Sequence, residues 1–242
     1  MSGCNEYDRC PRRYRYGYLD RAPHDRPTPA AWRHGIAVHA ALEAAYRDRM
    51  LGRPLADTVP DALTALGEAW TAEGLPEDPA WIRRTEAMVR RTLTDDPIAA
   101  DTVIGVEERF AADSATGRPF AGVADVVIRR DDHTIEIVDH KVSRSPRSPA
   151  TLLSDRQLNL YGWLARQRWP WATRVLATHH YPPLGRTVTV ELEDATTSEI
   201  VGELDAIAAR ADADTEFRPQ PSRECDTCPW IDRCPAHATG GE

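Results

Sequence analysis

Near residue 101 the hydrophobic pattern changes period, and this change limits the fold more than any other feature of the chain. Before it, apolar residues recur at helical spacing over 30–50, about 58–73 and about 79–94. In the first of these, Trp32, Ile36, Val38, Ala41, Leu42 and Tyr46 supply the apolar positions. After it, residues 102–112, 119–130 and 134–141 read as three successive strands. Thr116-Gly117-Arg118-Pro119 and Asp131-Asp132-His133 are the turn signals between them. A helix over 151–168 follows, then strands over 174–182 and 186–192 around Pro182-Pro183-Leu184-Gly185, then a polar helix over about 195–211. Residues 5–20 read as a short aromatic helix or turn region containing Cys10-Pro11, and the tail from Phe217 is too rich in Pro and Cys for a core element. Helices, three strands, a helix, two strands and a helix make an α/β fold with a mixed central sheet. One domain over 1–242 is expected, with a helical part at 30–100 and a core at 101–212.

At 41% hydrophobic and 28% charged residues the composition is that of an ordinary soluble domain. No apolar run approaches the roughly 18 residues of a membrane helix. The first 20 residues are polar and Arg-rich without an apolar signal core, so a cytoplasmic protein is expected. The net charge of −8 does not exclude a nucleic-acid partner, because binding depends on where cations cluster. Residues 1–33 hold seven Arg against four acids, and Lys141, Arg144 and Arg147 form a second basic stretch with no acid before Asp155. Of the 30 basic residues, 29 are Arg, and Lys141 is the only Lys. Lysine is a compact point charge whose pKa can be tuned, which the planar arginine fork cannot imitate. A lone Lys in such a chain marks a position where Arg does not serve.

That position lies in a constellation. Asp125 stands in the second strand, within Gly122-Val123-Ala124-Asp125, and Asp139 and Lys141 stand at the end of the third, within Ile137-Val138-Asp139-His140-Lys141. Strand alternation points Asp139 and Lys141 to one face and His140 to the other. If the two strands form a hairpin, Asp125 and Asp139 approach each other at one end of the sheet. Two carboxylates and a lysine there are costly to desolvate. Hard oxygen ligands so placed suit Mg²⁺ or Mn²⁺, which lower the pKa of a bound water. Taken alone, the Asp-x-Lys triplet is common, and a surface ion pair is the plainer reading of it.

Five blocks in order change that balance: Gly35-Ile36-Ala37-Val38-His39, Glu107-Glu108-Arg109-Phe110, Gly122-Val123-Ala124-Asp125, Asp139-His140-Lys141 and Gln157-Leu158-Asn159-Leu160-Tyr161. Together they resemble the RecB-like branch of the PD-(D/E)XK nucleases, over nearly the whole chain from Cys10 to Cys234. The resemblance implies a restriction-endonuclease-like core with a helical insertion, acting as a metal-dependent DNA nuclease. His39, Glu107, Asp125, Asp139 and the His140 carbonyl are then the metal ligands, and Lys141 is the catalytic lysine. Glu108 is the register alternative to Glu107. Gln157 and Tyr161, four apart on one helix face, border the site. An exonuclease on single-stranded or end-containing DNA, in repair, recombination or CRISPR adaptation, is the expected role. No helicase motif occurs, so an unwinding partner would be a separate chain. A catalytically silent DNA-binding module and an RNA-directed nuclease are the alternatives.

The five cysteines are Cys4, Cys10, Cys225, Cys228 and Cys234. Their odd number argues against a disulfide framework, and three thiolates in one loop call for a soft metal and a fourth ligand. In Cys10-Pro11-Arg12-Arg13-Tyr14, Cys10 resembles the N-terminal cysteine of the iron–sulfur RecB-like nucleases. The resemblance implies a 4Fe–4S cluster on Cys10, Cys225, Cys228 and Cys234, forming a clasp of residues 1–20 and 217–236. Zn²⁺ is the competing occupant, and Cys4 the competing ligand. The Arg-rich segments, with Tyr14, Tyr16, Tyr18 and Trp230, would hold a nucleic-acid strand. The alternative, slightly favoured for these aromatics, is core around the cluster.

Overall fold

The computed structural model describes residues 2–98 and 102–238, so the expected boundary at 100/101 lies outside the described residues. The chain enters through α1 (Ser2–Arg9) and α2 (Pro11–Tyr14), with Cys10 between them as the N-cap of α2, and a π-helical turn over Arg15–Leu19. Three longer helices follow: α3 (Ala30–Met50), α4 (Val59–Ala72) and α5 (Pro79–Asp95). Asp78 starts α5 by accepting from the amides of Ala80 and Trp81 at 2.8 and 3.3 Å, with Pro79 at the first helical position.

The sheet comprises β1 (Val103–Asp113), β2 (Pro119–Arg129), β3 (Thr134–His140), β4 (Arg174–Tyr181) and β5 (Arg186–Glu191), in that spatial order. All neighbours are antiparallel except β3 and β4, which are parallel. Parallel pairing needs a crossover, and α6 (Pro149–Leu153) with α7 (Arg156–Arg168) provides it. After β5 come α8 (Asp194–Ala213), a 3₁₀ turn over Arg223–Thr227 and α9 (Pro235–Ala238). Among the described residues, no helix is long and apolar enough to cross a membrane.

Both faces of the sheet are covered. Val126, Ile128 and Val138 pack with α3, α4 and α5 through Leu42, Leu66 and Val89. Val127, Ile135 and Ile137 pack with α7 and α8 through Leu158, Leu164 and Leu204. Every residue of β3 is buried, as its central position between two layers requires. At about 0.025 kcal/mol per Å² of apolar area, this double burial is the main force holding the strand carrying Asp139 in place.

Four expectations need correction. The helix expected over 151–168 is broken at Ser154 and Asp155, because Asp155 turns its carboxylate to the amides of Gln157 and Leu158 and caps a new helix. Trp32 and Ile36 are 58% and 51% exposed and take no part in the core stripe of α3. The helix expected to be polar, α8, buries Ile200, Val201, Leu204 and Ile207. Finally, β3 ends at His140, so Lys141 stands one residue beyond the strand.

Candidate active site

The site lies where β2 and β3 part. Their ladder runs from Arg129 opposite Ile135 to Val126 opposite Val138, and Asp125 and Asp139 are the next residues out. There the Asp125 carboxylate replaces a backbone acceptor: its Oδ2 takes the His140 amide at 2.6 Å. From α3, His39 fills the fork. Its Nδ1 lies 3.5 Å from Asp125 Oδ2, and its Nε2 lies 2.8 Å from the His140 carbonyl oxygen. Glu107 reaches in from β1. One ligand atom from each of His39, Glu107 and Asp125 lies within 4.8 Å of the others, the one such trio of His, Cys, Asp or Glu among the described residues.

Asp139 and Lys141 stand beside this trio, on one side as strand alternation requires. Lys141 Nζ is 2.5 Å from Asp139 Oδ2, and His179 Nε2 is 3.7 Å from the same oxygen. Asp139 is only 4% exposed. Burial and the adjacent Asp139 carboxylate push the Asp125 carboxyl well above the usual carboxylate range. Burial, then Glu43 on α3, raises Glu107 too. Three carboxyl groups crowded in partial burial repel one another, and a cation among them relieves both the crowding and the desolvation. Glu107 also has φ +46°, a left-handed conformation rare for a residue with a Cβ and costing on the order of 1–3 kcal/mol. That backbone turns Glu107 into the fork. Its neighbour Glu108 has Oε1 3.7 Å from the Arg168 guanidinium.

Gln157 and Tyr161 meet as their spacing on one helix face predicts: Gln157 Nε2 donates to Tyr161 Oη at 2.8 Å. The Tyr161 ring lies over Gly122, where a Cβ would stand 2.4 Å from Cε1. Gly122 therefore owes its place in the Gly122-Val123-Ala124-Asp125 block to the ring above it. Gln157 lies between two open grooves. One, of about 360 Å³, is lined by Lys141, Arg147 and Arg156. The other, of about 550 Å³, is lined by Arg109, Gly122 and Tyr161.

The five-block pattern thus brings His39, Glu107 and Asp125 into one trio, with Asp139, Lys141 and the His140 carbonyl adjoining. Sequence reasoning missed the support behind Asp139. His179 lies opposite it in the β3/β4 register, with its Nδ1 3.2 Å from Tyr181 Oη, and that hydroxyl accepts the Arg147 amide at 2.9 Å. The sequence signal was Thr178-His179-His180-Tyr181, polar groups in a run read only as a strand.

Where the two chain ends meet, Cys10, Cys225, Cys228 and Cys234 line one cavity of about 140 Å³. Cys4 is elsewhere, with its Sγ 3.7 Å from the Leu204 carbonyl oxygen. Four of the seven arginines in the N-terminal stretch are paired with acids. Arg9 and Arg13 pair with Glu6 and Glu224, Arg15 with Asp20, and Arg26 with Asp232. The pairs of Arg9 and Arg13 with Glu224, and of Arg26 with Asp232, join the two chain ends. The aromatics serve the same junction: Tyr14 stacks on Tyr18 and Phe217, and Tyr16 packs on the buried Trp230.

A family model described as the PD-(D/E)XK nuclease superfamily matches residues 1–235. Among solved structures, the chain is similar to a provisionally named exonuclease from Eubacterium rectale. The TM-score is 0.57 and the identity 12%, over 94% of this chain and 85% of that one. A second, SSO0001, aligns with a TM-score of 0.36 and 18% identity over 72% of this chain and 75% of its own. At these identities the first likeness speaks to the fold alone. No curated protein matches the chain significantly.

Proposed function

The chain belongs to the PD-(D/E)XK nuclease superfamily, and on that footing we propose that it is a Mg²⁺- or Mn²⁺-dependent deoxyribonuclease working from the fork of β2 and β3. Superfamily membership makes it a nuclease, a phosphodiester hydrolase that uses divalent metal. The observation that carries the finer reading is the meeting of His39, Glu107 and Asp125 within 4.8 Å, beside the Asp139–Lys141 pair. The donor set fits a hard divalent ion: carboxylate oxygens, a backbone carbonyl at His140 and one imidazole. A divalent ion held there would supply Lewis-acid chemistry, lowering the pKa of a water and polarising a phosphate oxygen.

The chain's own residues divide the remaining work. Lys141 is one-third exposed, so its ammonium is anchored by Asp139 yet faces the groove that Arg147 and Arg156 line. From there it donates to the attacking water or to the phosphate oxygen gaining charge, a point-charge task that an arginine fork does not copy. Tyr161, held by Gln157, borders the second groove and places the strand. Action on single-stranded or end-containing DNA as an exonuclease is our preferred mode. DNA repair, recombination or CRISPR adaptation, with a separate helicase or adaptation protein as partner, is the setting suggested by the sequence resemblance alone.

For the cysteines we propose a 4Fe–4S cluster held by Cys10, Cys225, Cys228 and Cys234 as a structural clasp. Four thiols around one cavity suit it. Zn²⁺ is the competing occupant, since four thiolates also make a tetrahedral zinc site.

The test compares wild type with Lys141→Ala and Asp125→Asn on matched DNA and RNA oligonucleotides with Mn²⁺. The expected result is DNA cleavage by wild type, lost by at least a hundredfold in both variants with Mn²⁺ affinity falling only in Asp125→Asn. A Lys141→Ala protein that still degrades DNA overturns the mechanism, and faster cleavage of RNA overturns the substrate.

A further inference from the structure

Arg9, Arg13, Arg15 and Arg26 are paired with acids, and a separate set of arginines is grouped without acids on the helical part. A concave groove of about 530 Å³ opens between α5, the loop after β3 and the turn after β4. Trp81, Arg84, Met88 and Arg91 line it from α5, at the i, i+3, i+7, i+10 spacing of a single helical face. Val142 and Arg144 line it from the loop that begins at Lys141. No acid lines the groove, in a chain of net charge −8.

The three guanidinium groups are exposed. Arg91 spends one nitrogen on the Pro182 carbonyl oxygen at 2.9 Å, which fixes the fork and leaves the rest of it open. Neither Arg84 nor Arg144 has an acidic partner among the described residues. His34, also on the wall, adds no charge: burial lowers its pKa, and its Nε2 lies 3.0 Å from Thr85 Oγ1. Its ring instead packs beside Trp81, with centroids 5.1 Å apart, holding the indole in place. Three arginines and a braced tryptophan in an acid-free groove match a polyanion with flat bases, the pairing used by single-strand binding surfaces. The groove also lies near the cleavage site in the chain, through Val142 and Arg144. Arg144 is three residues past Lys141, so the two Cα atoms are within about 11 Å by chain reach alone.

We propose that this groove carries the polynucleotide strand to or from the cleavage site, with Arg84, Arg91 and Arg144 on successive phosphates and Trp81 against a base. The proposal rests on the nuclease reading above and extends it to a second binding surface on the helical part.

The test is binding of a labelled single-stranded 20-mer DNA to the full chain, without added divalent metal so that the strand stays intact, over a series of salt concentrations. Arg84→Gln/Arg144→Gln is compared with Arg83→Gln/Arg90→Gln, the same charge change on α5 residues outside the groove. The groove pair is expected to weaken binding by tenfold or more at low salt and to reduce the log–log salt slope by about 1.4, at roughly 0.7 per lost phosphate contact. The control pair changes affinity by less than twofold. Both variants must melt as wild type does. Equal effects from the two pairs, or none from either, overturn the groove while leaving the nuclease reading intact. Displacement of DNA by polyglutamate as effectively as by unlabelled DNA overturns it in favour of an acidic protein partner. A wild-type protein that neither binds nor cleaves DNA or RNA brings down the nuclease reading and the groove together.

Discussion

His39 Nε2 lies 2.8 Å from the carbonyl oxygen of His140, while its Nδ1 lies 3.5 Å from Asp125 Oδ2. An imidazole caught between a carbonyl and a carboxylate satisfies both only when both nitrogens carry protons. A divalent ion competes by offering one ring lone pair a partner and giving the carbonyl and carboxylate a shared cation. His39→Ala is therefore expected to weaken Mn²⁺ binding by at least tenfold, about 1.4 kcal/mol. Its metal-free melting temperature should stay within a few degrees, because the ring is one-third exposed. Calorimetric titration with Mn²⁺ checks this, and unchanged affinity removes His39 from the site.

Gly122 and Tyr161 give a steric prediction. A Cβ at residue 122 would meet Tyr161 at 2.4 and 2.9 Å, so the ring must move or β2 must shift. Gly122→Ala should cost about 1–3 kcal/mol by denaturant unfolding. A second change, Tyr161→Leu, should recover part of that loss by removing the ring edge, which a double-mutant cycle reads as coupling. Additive costs would mean that the ring does not constrain this position.

The architecture was largely legible because period is a strong signal. β3 carries Ile135, Ile137 and Val138 between clear turn signals and α5 carries its own cap, so both lie within a residue or two of expectation. Where the reading failed, a local interaction overrode the pattern. The apolar stripe of 151–168 runs through Asp155 unbroken, yet the backbone stops there because one carboxylate caps two amides. Trp32 and Ile36 fit the stripe of α3 but nothing covers them, since period reports which residues share a face and not whether that face has a neighbour. At the site, the blocks named the residues that meet in the fork. They did not reveal His179 or the Gly122–Tyr161 contact, which depend on strand pairing and on a crossover helix distant in sequence. Glu107, the acid the block pattern named ahead of Glu108, reaches the trio through a left-handed backbone that the pattern does not encode.

Buried histidines set a pH dependence. Burial lowers His180 to about 4, and it pushes His140 well below the usual range, with their Nδ1 atoms 2.9 Å apart. A histidine whose folded pKa is depressed binds its proton more readily when unfolded. Its stabilising effect is present above pH 6.5 and is lost as pH falls toward 4. For His180 alone this amounts to about 2 kcal/mol between pH 7 and pH 5. The raised Asp125 acts in the opposite sense, gaining stability on acidification, so the contrast between wild type and His180→Gln is the quantity to read. Urea midpoints at both pH values should fall further for wild type. Equal drops would place the pH response on other groups.

The left-handed Glu107 separates two substitutions that remove the same carboxylate. Glu107→Ala keeps a Cβ at φ +46°, whereas Glu107→Gly relieves it. Glycine in a strand normally costs about 0.5–1 kcal/mol relative to alanine. Here the sign should reverse, with Glu107→Gly more stable than Glu107→Ala by about 1 kcal/mol. Both should lose metal affinity alike. If alanine proves the more stable, the inversion is not held by the fold.

The clasp distinguishes two cysteines six residues apart. Cys10 Sγ accepts the Gln220 amide at 3.4 Å and Cys225 Sγ accepts the Ser222 amide at 3.3 Å, so backbone donors already face sulfurs that line one cavity. Cys4 does not line that cavity. Its Sγ faces a carbonyl oxygen, and burial raises its pKa, holding it as a thiol. Cys10→Ser is therefore expected to lose bound iron and acid-labile sulfide and to melt at lower temperature, because Cys10 ties the N-terminal helices to the tail. Cys4→Ser should keep iron, sulfide and the visible absorbance of anaerobically purified protein. Loss of iron in Cys4→Ser would exchange the ligand, and stoichiometric zinc without iron in wild type would replace the cluster with a single ion.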